Sequence, residues 1–258
     1  MLAAYRAGDF SPLVKYPFEL DVSGYIVNGL NLYYMNKTVR ERNDSIQQEL
    51  NLPRDEFVHT HISISPIDNP LVMEAQRYLN GEPFDLKNKD QSKYETISLI
   101  KQLEAIMKNY GMVARRMLIH PNEKVMVRKN IYVDGSLQFA NGHIRRYGEV
   151  SHIRTEEDFV TKFGKRFTVS FCPIVLAYAM TAHKVQGLSI MDDLYIDLDD
   201  LRRSNAFYPI LYVALSRKKG ATCRIYLSRP FNGGDIERLS NFRSKITELN
   251  AFLGSKIS

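Results

Sequence analysis

Apolar and polar positions alternate along this chain in short blocks, and the most distinctive block is 176–190, LAYAMTAHKVQGLSI. Val175, Leu176, Ala179, Met180 and His183 recur at helical spacing. Pro173 suits a helix start, because its fixed φ and missing N–H cost nothing there. Gly187 can close the turn in the left-handed conformation. The pattern therefore predicts a helix over 173–187. LYIDL at 194–198 predicts a short buried strand. A second helix is expected over 206–219, stopped by Gly220, and CRIYL at 223–227 reads as the next strand. Helix, strand, helix, strand at this spacing points to parallel α/β winding.

Upstream, Leu32, Tyr33, Tyr34 and Met35 read as a buried strand, followed by a helix with Val39, Ile46 and Leu50 on its apolar face. Asn36 or Thr38 can cap that helix. Ile97, Ile100, Leu103, Ile106 and Met107 form one face of a helix over 94–110, and 81–91 is a polar loop with Pro83. Over 123–153, and again in KRFTVSF, short β-patterned pieces are separated by Gly135, Gly142 and Gly148, which suggests a small barrel or twisted ribbon. Asn141–Gly142 is a good two-residue hairpin turn. The end, 235–258, reads as an amphipathic helix with a frayed tail.

Composition narrows the picture little. The chain has 258 residues, 44% of them hydrophobic and 25% charged, enough for one large or two small domains. It has no 18-residue apolar run, so no membrane span is expected, and the first residues lack a signal-peptide core. Two cysteines, Cys172 and Cys223, give neither a disulfide framework nor zinc spacing and fit a reducing compartment. His59 and His61 would share one face of a strand, but no further ligands complete a metal site, and no metal is expected on the protein itself. The net charge of +6, with basic pairs at Arg115–Arg116, Arg145–Arg146, Arg202–Arg203 and Lys218–Lys219, makes a polyanion partner plausible.

Thr181, His183, Lys184 and Gln186 cluster before Gly187, and Ser216 and Arg217 follow the apolar YVAL. Each alone is explained by a solvated helix face. Together, T-x-H-K-x-Q-G and then Y-V-A-L-S-R resemble the fifth and sixth motifs of superfamily 1 helicases, closest to the Pif1/RecD-like branch. Asn36, Val39 and Asn43 match that family's T-N-x-x-V-x-x-x-N element, with Met35 where Thr is usual and Arg42 where an apolar residue is usual. VMVRKN followed by FANGHIRRYGEV resembles the signature of its SH3-like insertion. Tyr5, Arg6 and Gly8 resemble the end of a helix near the start of its second motor domain, so the chain is expected to begin just inside that domain.

The resemblance implies a RecA-like parallel sheet flanked by helices, with a small SH3-like β-barrel insertion. Residues 1–119 and 169–258 would form the second motor domain and 120–168 the insertion. It implies an ATP-dependent 5′ to 3′ DNA helicase of DNA repair or replication, with ATP and Mg²⁺ held in a cleft against an N-terminal ATPase domain or subunit. In such a cleft Arg217 is the expected arginine finger, with Gln186 and Gly187 beside the nucleotide. Asn36, Thr181, His183 and Lys184 are the expected contacts to single-stranded DNA. Arg145 and Arg146 are further candidates, although a charged hairpin edge explains them equally well. The phosphate-binding pattern G-x-x-x-x-G-K-[ST] does not occur in the sequence; the one Gly-Lys pair, Gly164–Lys165, is followed by Arg166. YIDLDD at 195–200 imitates a Mg²⁺-binding strand but lies where the family has a structural one. The chain alone is therefore expected to be inactive as an ATPase. The alternative function is a non-catalytic nucleic-acid-binding remnant, or a docking module of a split helicase. An intracellular setting is expected, with nucleus, mitochondrion and viral factory equally compatible.

Overall fold

The computed structural model describes residues 2–7, 9–87, 93–219 and 223–257. Gly8 and Gly220 lie outside the described residues. The chain divides into two compact units, one made of Met1–Leu50 with Tyr178–Ser258, the other of Asn51–Ala177. The boundaries expected from the sequence, 119/120 and 168/169, both fall within the second unit.

The first unit is built on a five-stranded sheet in the order Glu19–Leu20, Ile225–Leu227, Asp193–Ile196, Gly29–Tyr33, Ala179–Thr181. Every pairing is parallel, with Tyr195 opposite both Asn31 and Tyr226, and Thr181 opposite Tyr33. Gly29–Tyr33 is buried along its whole length, as a parallel strand covered on both faces must be. Gly29 is required there: a Cβ would sit 2.5 Å from the Asp193 carbonyl oxygen. The helix Asn36–Glu49 buries Val39 and Ile46, and Phe207–Ser216 buries Ile210, Leu211, Ala214 and Leu215. The C-terminal helix spans Gly233–Ile257. This is the expected α/β architecture, a parallel sheet with flanking helices.

The helix expected over 173–187 does not form. Ile174–Leu176 and Ala179–Thr181 are strands, and only Ala182–Val185 is helical, as a single 3₁₀ turn. The run IVLAYAMTA carries no polar stripe, and an apolar run of that length fits a buried strand as well as a helix. Gly187 does take the left-handed conformation, φ +87°, but it follows the 3₁₀ turn. The strand at 32–35 ends earlier, at Tyr33, and Met35 rather than Asn36 or Thr38 occupies the N-cap, with no side-chain capping bond.

The second unit holds small antiparallel sheets, two longer helices and short helical turns among its described residues. Thr155–Val160, Arg166–Phe171 and Ile62–Ser65 pair as one sheet. The helices Pro70–Leu79 and Tyr94–Asn109 share a core with it, in which Ile64, Val72, Leu99, Leu103, Val169 and Phe171 are buried. A second core gathers Val125, Val127, Tyr147, Val150 and Ile174 around the sheet Ile174–Leu176, Lys124–Val127, Ile144–Arg146. Asn141–Gly142 does not close a hairpin, because the strands on either side of it pair elsewhere. The two-residue hairpin turn is Asp134–Gly135, both at positive φ, between Ile131–Val133 and Ser136–Phe139. Gly148 lies in a short helix, Tyr147–Val150, and not in a turn. His59 ends the strand Val58–His59 and His61 lies beyond it, so the two do not share a strand face.

Candidate functional site

All five strands of the first unit point the same way, so residues that follow strands collect at one edge of the sheet and residues that precede strands collect at the other. Tyr34, Asn36, Ala182 and His183 follow Gly29–Tyr33 or Ala179–Thr181 and lie at the C-terminal edge. Ile190 precedes Asp193–Ile196, and Arg217 precedes Ile225–Leu227, which places both at the N-terminal edge. There they are stitched together. The Ile190 N–H donates to the Arg217 carbonyl at 2.8 Å, and the Lys219 N–H donates to the Ile190 carbonyl at 2.9 Å. The connection 182–190 thus crosses the depth of the sheet, with Gln186 and Gly187 exposed along it.

At the C-terminal edge Asn36 is exposed in the first turn of its helix, and its carbonyl accepts from Arg40 Nε at 3.4 Å. His183 is exposed, its ring 5.8 Å from that of Tyr34. Lys184 is half-buried and Thr181 is buried. Two residues outside the expected set anchor these elements, Asp200 at this edge and Asn43 at the start of the strand Ala179–Thr181. Asp200, buried, accepts hydrogen bonds from the N–H groups of Tyr34 at 2.6 Å and Met35 at 2.9 Å, and from Thr38 Oγ1 at 3.3 Å. These bonds fix the turn that leads into the helix Asn36–Glu49. Asn43, also buried, accepts at Oδ1 from the N–H groups of Tyr178 and Ala179 and donates from Nδ2 to the Ala179 carbonyl. The acidic run 197–200 is therefore structural: Asp197 caps Leu198–Arg202 by accepting from the Asp200 N–H at 2.9 Å. Burial pushes the Asp197 carboxyl above the usual range.

Arg217 forms the C-cap of Phe207–Ser216, and its side chain is half-buried. Its Nε is buried without a hydrogen-bond partner among the described residues. Among the described residues no ion pair or side-chain hydrogen bond of Arg217 is found. Arg145 and Arg146 lie in the second unit, exposed on the strand Ile144–Arg146. Arg145 Nε is 4.0 Å from Glu149, and Arg146 donates to the Asn122 carbonyl at 2.7 Å. No group of metal-ligating side chains is found among the described residues. No described helix is long and apolar enough to cross a membrane.

No protein-family model matches the chain, and no curated protein matches it. Among solved structures it is similar to Pif1 helicases. A double mutant of Pif1 helicase from Bacteroides shares 15% identity at a TM-score of 0.46, over 96% of this chain and 53% of that one. Pif1 helicase from Candida albicans shares 16% at 0.45, over 96% and 56%. Bacteroides Pif1 bound to single-stranded DNA shares 16% at 0.43, over 96% and 53%. The chain spans about half the length of these structures.

Proposed function

We propose that this chain is the second motor domain of an ATP-dependent 5′ to 3′ DNA helicase of Pif1/RecD type. In this reading Asn36, Thr181, His183, Lys184, Arg145 and Arg146 serve the single-stranded DNA. Arg217 is the arginine finger, acting across a cleft in which a partner ATPase domain holds ATP and Mg²⁺. Gln186 and Gly187 line the nucleotide side. What carries the proposal is the guanidinium of Arg217. It ends the Y-V-A-L-S-R motif and is half-buried, and its Nε has no hydrogen-bond partner among the described residues. An arginine that merely capped its helix would bond the last carbonyls. A finger instead needs a free planar fork for two phosphoryl oxygens.

The proposal rests further on the 182–190 connection, which runs from the edge with the DNA candidates to the edge with Arg217. The test joins the chain to a Pif1-type ATPase domain and measures DNA-stimulated turnover. Arg217→Ala is expected to lower kcat by about 10³-fold or more, with ATP binding little changed, and Arg217→Lys to recover little of it. Normal turnover and a normal melting point in the Lys form would remove Arg217 from the chemistry. The rival reading, a non-catalytic nucleic-acid-binding module, expects DNA binding with no effect of Arg217 on turnover.

A further inference from the structure

The second unit carries a cleft of about 570 Å³ beside the first half of the helix Tyr94–Asn109. Its lining is mostly apolar, and Ile97 is buried against it. Lys87, Lys101 and Lys162 line its exposed rim. None of the three has an ion-pair partner among the described residues, whereas the nearby Lys165 is taken by Glu95. Asp85, close in sequence, accepts from the Lys87 backbone N–H at 2.9 Å. Tyr94 stands at the mouth, 49% exposed, with the Lys162 ammonium 4.6 Å from its ring centre. Gln102 donates from Nε2 to the Val160 carbonyl at 3.0 Å, which leaves its Oε1 buried without a partner. A buried orphan acceptor is unfavourable unless a ligand or a water supplies the donor.

We propose that this cleft holds one nucleotide unit of a single-stranded nucleic acid. Three ammoniums without an ion-pair partner among the described residues complement phosphate charge. The half-exposed Tyr94 ring, beside the Lys162 ammonium, offers stacking area that any base can use. Gln102 Oε1 can accept from a ring N–H such as that of thymine. An acidic peptide would complement the lysines but would leave the ring without its stacking partner. The inference rests on the nucleic-acid part of the proposed function and adds a contact distinct from the residues named there.

The test uses the full chain and a fluorescent oligo-dT, titrated at several salt concentrations. Tyr94→Ala is expected to weaken binding about tenfold with the salt slope unchanged. Lys101→Gln with Lys162→Gln should flatten the log–log salt slope by roughly 0.7 for each lysine that meets a phosphate. Lys108→Gln, on the same helix but outside the cleft, should change neither. A 4-thiothymidine oligonucleotide irradiated with the unaltered chain should crosslink within 94–105 or 160–165, a readout that no folding defect can confuse. If the oligonucleotide binds, yet these variants bind as the parent does and crosslinks fall only elsewhere, the cleft is overturned and the DNA reading stands. If no oligonucleotide binds at low salt, the DNA reading itself fails. A polyglutamate peptide that binds in a manner dependent on Lys101 but not on Tyr94 assigns the cleft to acidic peptides and overturns the proposal.

Discussion

Ala179–Thr181 is the last strand of its sheet, paired on one side only with Gly29–Tyr33. An edge strand leaves a row of N–H and C=O groups without partners, and here that edge is buried. Asn43 meets the need. Its Oδ1 accepts from the Ala179 N–H at 2.9 Å and the Tyr178 N–H at 3.0 Å, and its Nδ2 donates to the Ala179 carbonyl at 3.0 Å. The amide replaces a missing sixth strand over one residue, at the point where the chain returns from the second unit. Asn43→Ala removes three buried hydrogen bonds at roughly 1 kcal/mol each and strands three backbone groups away from water. The expected loss is about 3–5 kcal/mol, a large part of the roughly 5–15 kcal/mol that holds a typical domain.

Asn43→Asp sharpens the test. Its carboxyl can still accept both N–H groups, but the atom facing the Ala179 carbonyl is now an oxygen. Protonated, it can donate there; ionised, it repels. Its folded pKa is therefore expected to rise, so its stability is greatest in mild acid and is lost as pH climbs through that raised value. Urea unfolding of parent, Ala and Asp forms, followed by far-ultraviolet circular dichroism at pH 4.5 and 7.5, measures both effects. Hydrogen exchange at the Tyr178 and Ala179 amides localises them. A loss under about 1 kcal/mol for Asn43→Ala, or an Asp form no worse at pH 7.5 than at pH 4.5, refutes the reasoning.

Gly187 has φ +87° and open space where a Cβ would stand. Gly187→Ala should therefore cost about 1–2 kcal/mol from backbone strain alone, and Gly187→Asn less, since Asn tolerates that region; equal losses in thermal unfolding would point to a contact instead. Burial pushes the Asp235 carboxyl up, but hydrogen bonds from Arg229 and the Asn232 N–H, with the charges of Arg229 and Arg202, outweigh it and hold the carboxyl below its usual range. The stability this adds is present at neutral pH and lost as pH falls through the lowered folded value. Arg229→Ala should cost about 3 kcal/mol at pH 7 and progressively less in acid; a pH-independent difference would refute the linkage. Asp200→Ala should lose about 2–4 kcal/mol, because two N–H groups of the turn into Asn36–Glu49 lose their acceptor, and should weaken single-stranded DNA binding more than Asp199→Ala, whose carboxylate is exposed.

Much of the parallel sheet was legible, because its strands are buried on both faces and the sequence writes such strands as short apolar runs. Leu194, Tyr195 and Ile196 show this plainly. An apolar run also hid the antiparallel strand Ile174–Leu176 and the parallel strand Ala179–Thr181, because it satisfies helical spacing at several positions by abundance alone. Asn43 and Asp200 were not legible as clamps, since their partners lie 135 and 166 residues away in the chain. Nothing local distinguishes a buried Asn in a helix from a solvated one. Asp134–Gly135 carried as strong a hairpin signal as Asn141–Gly142, and only pairing register separates them: the strands flanking the first face each other, those flanking the second do not. Arg217 was marked by its motif, but its unpaired Nε is a property of packing that no spacing reveals.

Two segments of the first unit run between the same two edges of the sheet. One is 182–190, which leaves the strand ending at Thr181 and reaches Ile190. The other is 197–217, which begins with Asp200 gripping the turn before Asn36 and ends with the Arg217 carbonyl bonded to Ile190. Between those ends Phe207–Ser216 packs against the 3₁₀ turn Ala182–Val185. The two segments are thus pinned at the N-terminal edge by backbone hydrogen bonds and meet again where Phe207–Ser216 lies against Ala182–Val185. A close-packed core transmits displacement rather than absorbing it. Under the proposed function, a shift of Asn36 or His183 on a nucleic-acid strand would reach Arg217 through two parallel routes. Loosening either route alone, at Asp200 or at Gly187, should therefore weaken the response of turnover to DNA without abolishing it. Loosening both should cost more than the sum, since each route carries what the other loses.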